Sequence, residues 1–223
     1  MANVNIVIVE DHLMFRDVVR KICVQQFGHA VLAETESGRE AVELILRHQP
    51  EVVILDLSLP DMDGFNVVDL VFAAAPSVRF LVLSAHCDDY TLFRVEKSGV
   101  HGFIDKNSNT VDALQEALTA IQAGRVYFST AFQQAKLARR MDPRSFTKVL
   151  SEWERAILSL IGQGLSDDEI AGRLTISPRT VQTHRSKILR KLNIKGTPKL
   201  IAFAIEHGFT QVSTKSSRAP AFP

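Results

Sequence analysis

The sequence is poor in the residues that mark secreted, disulfide-rich or membrane-spanning proteins. Its 223 residues include only two cysteines, one tryptophan and two tyrosines. Cys23 and Cys87 lack the paired spacing of a disulfide framework or a zinc site, so neither is predicted. The apolar run near the amino terminus is too short for a membrane span and no basic segment precedes it. We therefore expect a cytoplasmic protein in a reducing compartment, without a membrane partner.

The sequence does contain two halves of opposite charge. Residues 1–124 hold 9 lysines and arginines against 18 aspartates and glutamates, whereas residues 125–223 hold 17 against 7. Such an asymmetry indicates two domains with different partners, and it makes the basic half a candidate for binding nucleic acid. The alternative is that these charges only cover solvated faces, and the motifs must decide between the two.

The acidic half alternates short apolar runs with stretches of helical periodicity. The apolar runs fall at residues 5–9, about 30–33, 52–55, 80–83 and 102–105. Amphipathic stretches such as GREAVELILRH separate them, which is typical of βαβ units with helices on both faces of a parallel sheet. The pattern predicts an α/β fold with a flavodoxin-like, doubly wound, five-stranded parallel sheet.

Polar residues with complementary chemistry follow four of these five strands: Glu10, Asp11, Asp56, Ser84 and Lys106. In an open parallel sheet, ligands bind beyond the carboxyl ends of the strands, where the strand order reverses. Clustered carboxylates repel one another unless a cation neutralises them, and Mg²⁺ prefers carboxylate and phosphate oxygens. A carboxylate can also attack phosphorus. Each residue alone has an ordinary structural explanation, such as a helix cap, but together they predict a phosphoryl-transfer site used for signalling.

Residues 1–124 resemble a two-component receiver domain through the segments VIVEDH, VVILDLSLPDMDG, LVLSAH and GFIDK. The resemblance implies that a partner histidine kinase phosphorylates Asp56. It also implies a magnesium ion among four oxygen donors: Glu10, Asp11, Asp56 and the backbone carbonyl of Ser58. The chain departs from the family at Glu10, where aspartate is common, and at Asn107, where many receivers have proline. The usual rigid turn after the lysine is therefore not assured.

The resemblance assigns roles to residues around the phosphoryl group as well. Phe103 takes the position of an aromatic that turns inward when the Ser84 hydroxyl moves to the phosphoryl group; the alternative is an ordinary core aromatic. Ser58 and His86 lie two residues beyond Asp56 and Ser84, where they would border the water that attacks the acyl phosphate. They would set its lifetime, unless they are exposed loop residues without effect.

The basic half begins with residues 125–149, which are predicted to be a linker that contains a helix. Residues 150–209 are predicted to form an all-α, four-helix helix-turn-helix domain, and residues 210–223 a disordered tail. Hydroxyl caps and prolines predict where its helices begin: Ser151, Ser166 with Glu169, Ser177 before Pro178, and Thr197 before Pro198. Gly208 is placed to end the last helix.

The helix that begins at Pro178 has one apolar stripe and one polar face. Val181, Ile188 and Leu192 form the stripe, which should be buried. The other face carries nine residues, five of them basic and none acidic: Arg179, Thr180, Gln182, Thr183, Arg185, Ser186, Lys187, Arg190 and Lys191. A solvated helix usually mixes both signs, so a face of one sign favours contact with phosphates. His184 is expected to be partly buried rather than a metal ligand.

The segment from Leu150 to Ile194 resembles the LuxR-type helix-turn-helix. With the receiver, the chain resembles a NarL/FixJ-type response regulator over residues 5–209. The resemblance implies binding of double-stranded DNA by a homodimer that forms on activation. Gln182, Thr183 and Ser186 would face base edges, while the arginines and lysines would hold phosphates.

Two other classes of function remain to be weighed. A phosphate-independent adaptor could use the receiver fold for protein contacts only, but such proteins usually lack at least one of the five site residues. An enzyme is less expected, because the site offers self-phosphorylation and slow dephosphorylation rather than turnover of a metabolite.

Overall fold

The computed structural model describes residues 3–85, 87–107, 111–142 and 145–210. The chain divides into two compact units, the first made of Met1–Cys87 and Leu92–Ala138, the second of Asp88–Thr91 and Arg139–Pro223. His86 and the predicted tail beyond Thr210 lie outside the described residues. Among the helices of the described ranges, none combines the length and the apolarity that a membrane span requires.

The first unit contains a parallel sheet of six strands: β1 (Asn5–Val9), β2 (Ala30–Thr35), β3 (Val52–Leu55), β4 (Arg79–Ser84), β5 (Gly102–Asp105) and β6 (Tyr127–Phe128). Their order in the sheet is β2-β1-β3-β4-β5-β6, which confirms the flavodoxin-like prediction. The sheet has one strand more than the five predicted. β6 pairs with β5 through Tyr127 and Phe128 only, and two residues are too few to produce a periodic pattern.

Helices cover both faces of this sheet: α1 (Leu13–Lys21), α2 (Gly38–His48), α3 (Gly64–Ala74), α4 (Asp89–Lys97), α5 (Val111–Gln122) and α6 (Thr130–Met141). A π-helical turn at Ile22–Gln26 extends α1. Along β1, Ile6 and Ile8 join a core with α1 and α5, whereas Val7 and Val9 join a core with α2, α3, α4 and α6. Successive strand residues point to opposite faces, so strands buried on both sides read as continuous apolar runs.

The second unit contains five helices in its described residues: α7 (Phe146–Val149), α8 (Glu152–Gly162), α9 (Asp167–Leu174), α10 (Pro178–Leu192) and α11 (Thr197–Glu206). α7 is a single turn, and the other four are the predicted ones. The predicted capping box of Ser166 and Glu169 forms at the start of α9, and Ser177 caps α10 with Pro178 as its first residue.

The predicted cap of the last helix is wrong by one residue. Gly196, with φ of 86°, is the N-cap of α11, and the Thr197 side chain does not cap the helix. The Thr197 hydroxyl instead accepts a hydrogen bond from Arg185 at 3.2 Å. Gly208 ends α11 as predicted: it has a φ of 74°, and the following Phe209 N–H donates to the Ala204 carbonyl at 2.8 Å.

Candidate phosphoryl-acceptor site and candidate DNA interface

The acidic residues meet because β1 and β3 are neighbours in the sheet. Val9 and Leu55 pair across these strands, so Glu10 and Asp56, which follow them, emerge side by side. The Asp56 N–H donates to the Val9 carbonyl at 2.9 Å. We call Glu10, Asp11 and Asp56 the acidic cup. Glu10 and Asp56 are buried, with 2% and 4% of their surface exposed.

Lys106 is the cation of the cup, and it reaches the cup from the end of β5. Its Nζ lies 2.6 Å from Glu10 Oε2 and 2.8 Å from Asp56 Oδ2. The same Nζ lies 4.7 Å from the centre of the Phe15 ring, which shields the ammonium on one side. Lys106 thus forms ion pairs with two buried carboxylates. Because the cup contains three carboxylates and one lysine, it has more negative than positive charge.

The pKa of Glu10 is raised mainly because its carboxyl group is buried. Burial raises it above its usual value, and the charge of Asp56 raises it further, while the hydrogen bond and charge of Lys106 act in the opposite direction. The raising effects prevail, so the charge of Lys106 does not fully offset the burial and the neighbouring carboxylate.

The Asp56 carboxylate is held by both of its oxygens. The Ser58 N–H donates to Oδ1 at 3.1 Å, and Lys106 binds Oδ2. The loop after β3 also requires a glycine at position 64, because a Cβ there would lie 2.7 Å from both the Asp56 carbonyl oxygen and Leu57 Cα. Gly64 therefore lets the first turn of α3 approach the backbone that carries the acceptor.

Ser84 and Phe103 lie on adjacent strands behind the cup. Both are fully buried, and the Lys106 N–H donates to the Ser84 carbonyl at 2.9 Å. The Phe103 ring points inward, 5.5 Å from the ring of Phe132 in α6. An inward aromatic fits both the switch role and the core role that the sequence left open.

Asn107 replaces the rigid proline turn with hydrogen bonds. Its side-chain Nδ2 donates to the Ala85 carbonyl at 3.0 Å, and its backbone N–H donates to Asp105 Oδ1 at 2.9 Å. The first bond ties the loop that carries Lys106 to the loop that follows Ser84. The turn after Lys106, which lacks the usual proline, is therefore stabilised by the side-chain amide of Asn107.

His12 is a site residue to which the sequence interpretation assigned no role. Its Nδ1 lies 2.8 Å from Asp11 Oδ1, and its backbone N–H donates to Glu10 Oε1 at 3.2 Å. One donor atom each from Glu10, Asp11, His12 and Asp56 lie within 4.8 Å of one another, a spacing that could hold a metal ion. The only signal in the sequence was that His12 follows the acidic pair.

The candidate DNA interface is the polar face of α10. Val181 and Ile188 are fully buried, while Leu192, predicted to be buried with them, is only partly so. Eight of the nine predicted contact residues are exposed: Arg179, Thr180, Gln182, Thr183, Ser186, Lys187, Arg190 and Lys191. The exception is Arg185.

Two of the five basic residues of α10 are paired within the unit. Arg185 forms an ion pair with Asp167 at the start of α9, and its side chain is only 17% exposed. Lys191 Nζ lies 2.7 Å from Oε2 of Glu154 in α8, and its side chain is 36% exposed. The sequence pattern cannot reveal these pairs, because both acids lie on other helices. Arg179, Lys187 and Arg190 have no acidic partner in the described part of the chain.

Family models match both halves of the chain. The model described as the response regulator receiver domain matches residues 6–119. The model described as bacterial regulatory proteins of the luxR family matches residues 148–204.

Similar proteins and structures match the chain over most of its length. The oxygen regulatory protein NreC of Staphylococcus epidermidis is 33% identical over 214 residues, covering 90% of this chain and 96% of NreC. The transcriptional regulatory protein DegU of Brevibacillus brevis is 30% identical over 94% of this chain and 96% of DegU. RcsB of Salmonella enterica, solved on the rprA promoter, shares the fold with a TM-score of 0.69 at 24% identity, over 91% of this chain and 98% of that one. The chain itself belongs to the LuxR family of two-component response regulators: it joins a receiver domain to a helix-turn-helix DNA-binding domain and regulates transcription.

Proposed function

We propose that a histidine kinase phosphorylates this regulator on Asp56, and that the phosphorylated chain binds double-stranded DNA as a homodimer through α10. The observation that carries the proposal is the meeting of Asp56 with Glu10 and Lys106 at the edge of the sheet. A buried carboxylate held by an amide and a lysine is oriented for attack on phosphorus.

In the proposed step, a carboxylate oxygen of Asp56 bonds to the phosphorus carried by the kinase histidine. The phosphorus–nitrogen bond breaks, and its electron pair stays on the imidazole, which takes up a proton. Lys106, which bridges Glu10 and Asp56, would then bind a phosphoryl oxygen as a point charge. Glu10 and Asp11 would then lie beside the phosphoryl group, and a further cation would offset the repulsion between these oxygen-rich groups.

The donor set fits Mg²⁺. Glu10, Asp11, Asp56 and the Ser58 carbonyl would hold it through hard oxygen atoms, either directly or through water. When bound, the ion neutralises charge on the carboxylates and on the phosphoryl oxygens. The close approach of donor atoms from Glu10, Asp11 and Asp56, with Lys106 as the cation that binds two of these carboxylates, supports this assignment.

The response would pass through Ser84 and Phe103. The Ser84 hydroxyl would donate to a phosphoryl oxygen, and Phe103 would fill the space behind it. Asn107 would limit the movement of the loop after Ser84, because it binds the Ala85 carbonyl. Ser58 and His86 remain proposed determinants of the phosphoryl lifetime.

On DNA, we assign phosphate contacts first to Arg179, Lys187 and Arg190, which form no ion pair with an acidic residue in the described part of the chain. Gln182, Thr183 and Ser186 would face base edges, and Gln182 can pair with both hydrogen-bonding groups of adenine. Arg185 and Lys191 would reach phosphates only by leaving Asp167 and Glu154, and Thr180 stands beside the capping hydroxyl of Ser177.

RcsB, which shares the fold, has been solved as dimers on DNA. A DNA-binding regulator without catalytic turnover, working in the cytoplasm, fits these features.

Site mapping after phosphorylation tests the proposal. With Mg²⁺ and a small phosphodonor, mass spectrometry should find one phosphoryl group, on Asp56. Asp56→Asn should abolish the modification, while Asp69→Asn, an exposed change on α3, should leave it unchanged. Phosphate incorporation that persists in Asp56→Asn would refute the assignment.

A further inference from the structure

His12 is the one donor of the metal-competent group that the proposed phosphoryl chemistry does not use. Its Nδ1 lies 2.8 Å from Asp11 Oδ1 and 3.6 Å from Glu10 Oε1. The same donor set contains Asp56. The cup therefore offers one imidazole nitrogen among its carboxylate oxygens.

The orientation of His12 has no structural explanation in α1. His12 is the N-cap of that helix, a position where serine, threonine, aspartate or asparagine would accept a hydrogen bond from a helix amide. Its side chain makes no such bond, and the ring lies against Asp11 instead. The side chain is 78% exposed, so it can turn from Asp11 to a bound ion without disturbing the core.

An imidazole changes the preference of a site among divalent cations. Mg²⁺ binds through oxygen atoms and keeps several waters. Co²⁺, Ni²⁺ and Zn²⁺ take imidazole nitrogen readily, and their affinity for a mixed nitrogen and oxygen site exceeds that of Mn²⁺. A nitrogen donor added to carboxylates should thus favour the later first-row metals and leave the binding of Mg²⁺ almost unchanged.

We propose that His12 makes the acidic cup a binding site for late first-row divalent cations, which compete there with Mg²⁺. The inference rests on the magnesium site of the proposed function, because both kinds of ion use the same carboxylates. Its consequence is that one of these metals at sufficient concentration would displace Mg²⁺ from beside Asp56.

Calorimetry on the full chain tests the inference without measuring phosphorylation. Ni²⁺ and Mg²⁺ are each titrated into the wild type, His12→Ala and His48→Ala. His48 is an exposed histidine in the last turn of α2 and serves as the matched control. Removing the nitrogen donor should weaken Ni²⁺ binding by about tenfold or more. His48→Ala should bind Ni²⁺ like the wild type, and Mg²⁺ affinity should stay within about twofold in all three proteins.

Competition and spectroscopy locate the ion. Mg²⁺ should displace Ni²⁺ from the His12-dependent site, and the visible absorption of bound Co²⁺ should change in His12→Ala but not in His48→Ala. Equal Ni²⁺ affinity in the wild type and His12→Ala would overturn the inference, as would a His12-dependent site that excess Mg²⁺ leaves occupied. A wild type that binds Ni²⁺ through His12 but never binds Mg²⁺ would support the nitrogen donor and refute the magnesium site of the proposed function.

Discussion

Two buried glutamates, one in each unit, have nearly the same contacts and opposite electrostatics. Glu10 Oε2 lies 2.6 Å from Lys106 Nζ, and Glu154 Oε2 lies 2.7 Å from Lys191 Nζ. Their side chains are 3% and 4% exposed. Yet the pKa of Glu10 is raised above its usual value, whereas the pKa of Glu154 is lowered.

The difference lies in what surrounds each carboxylate. Burial alone would raise the pKa of Glu154, but the Lys191 hydrogen bond, the Ser151 N–H and the charge of Lys191 together outweigh it. Glu10 shares its lysine with Asp56, and the second carboxylate adds to the effect of burial. In the helical unit one carboxylate is paired with one lysine, so the charges of Glu154 and Lys191 balance. The cup is short of positive charge, which is the property that a cation-binding and phosphoryl-accepting site needs.

The largest expected change in stability comes from a substitution at Gly64, next to the backbone that carries Asp56. In Gly64→Ala the new Cβ would press on two backbone atoms that cannot move aside, which should cost about 3 kcal/mol in the receiver unit. Gly172 in α9 has open space around its Cβ position, so Gly172→Ala should stabilise the helical unit by up to about 1 kcal/mol. Hydrogen exchange of amides in each unit measures both changes, and equal effects of the two substitutions would contradict the close approach at Gly64.

Neutralising each glutamate sharpens the comparison. Glu154→Gln should destabilise the helical unit by about 2 kcal/mol, because Lys191 and the Ser151 amide lose a charged acceptor. Glu10→Gln should change the stability of the metal-free receiver by less than about 1 kcal/mol, because Lys106 keeps Asp56 and one repulsion disappears. Trp153, the only tryptophan in the chain, precedes Glu154 and reports unfolding of the helical unit. Amide exchange in β1 and β3 reports the receiver. If Glu10→Gln lost as much stability in the receiver as Glu154→Gln loses in the helical unit, the proposed difference between the two glutamates would be wrong.

Acid should affect the two units in opposite directions. The pKa of folded Glu10 lies above 4.5, so the folded receiver binds a proton first and gains stability as the pH falls from that raised pKa towards 4.5. The pKa of folded Glu154 lies below 4.5, so its stabilising effect is present above that pH and disappears as the pH falls through the lowered value. Both trends are measured in metal-free buffer across this pH range, the receiver by amide exchange in β1 and β3 and the helical unit by Trp153. Glu10→Gln should remove the gain in stability of the receiver, and Glu154→Gln should remove the loss in stability of the helical unit.

The smallest effect should separate two basic residues of α10. Lys187→Ala should reduce the salt dependence of DNA binding by about one unit of slope, because it removes a phosphate contact. Arg185→Ala should leave that slope unchanged and lower the stability of the helical unit by about 1 kcal/mol, because Arg185 holds Asp167 and Thr197. A flattened slope in Arg185→Ala would show that Arg185 leaves Asp167 for the DNA.

The same comparison explains what the sequence could predict. Strand ends and their polar residues follow from local patterns, and the reversal of strand order brings Glu10, Asp56 and Lys106 together. That meeting was predictable because the fold class dictates which strands are neighbours.

Partners from other elements could not be read from the sequence. The sequence of α10 predicts that Arg185 and Lys191 contact DNA. It cannot show that Asp167 in α9 and Glu154 in α8 form ion pairs with them. The strand β6 is too short to show a period, and Thr197 looks like a cap until Arg185 is seen to occupy its hydroxyl. The pairs of Arg185 and Lys191 and the role of Thr197 depend on tertiary contacts, which a pattern within one helix does not encode.

The central claim is that phosphorylation at Asp56 controls the binding of DNA by α10. The most direct test is the affinity for one DNA duplex, at fixed salt and with Mg²⁺, with and without beryllofluoride as a phosphoryl mimic. We expect the wild type to gain affinity by about 5–150-fold, and Asp56→Asn to gain none. A wild type that binds equally in both conditions, or an Asp56→Asn variant that gains as much as the wild type, would contradict the account.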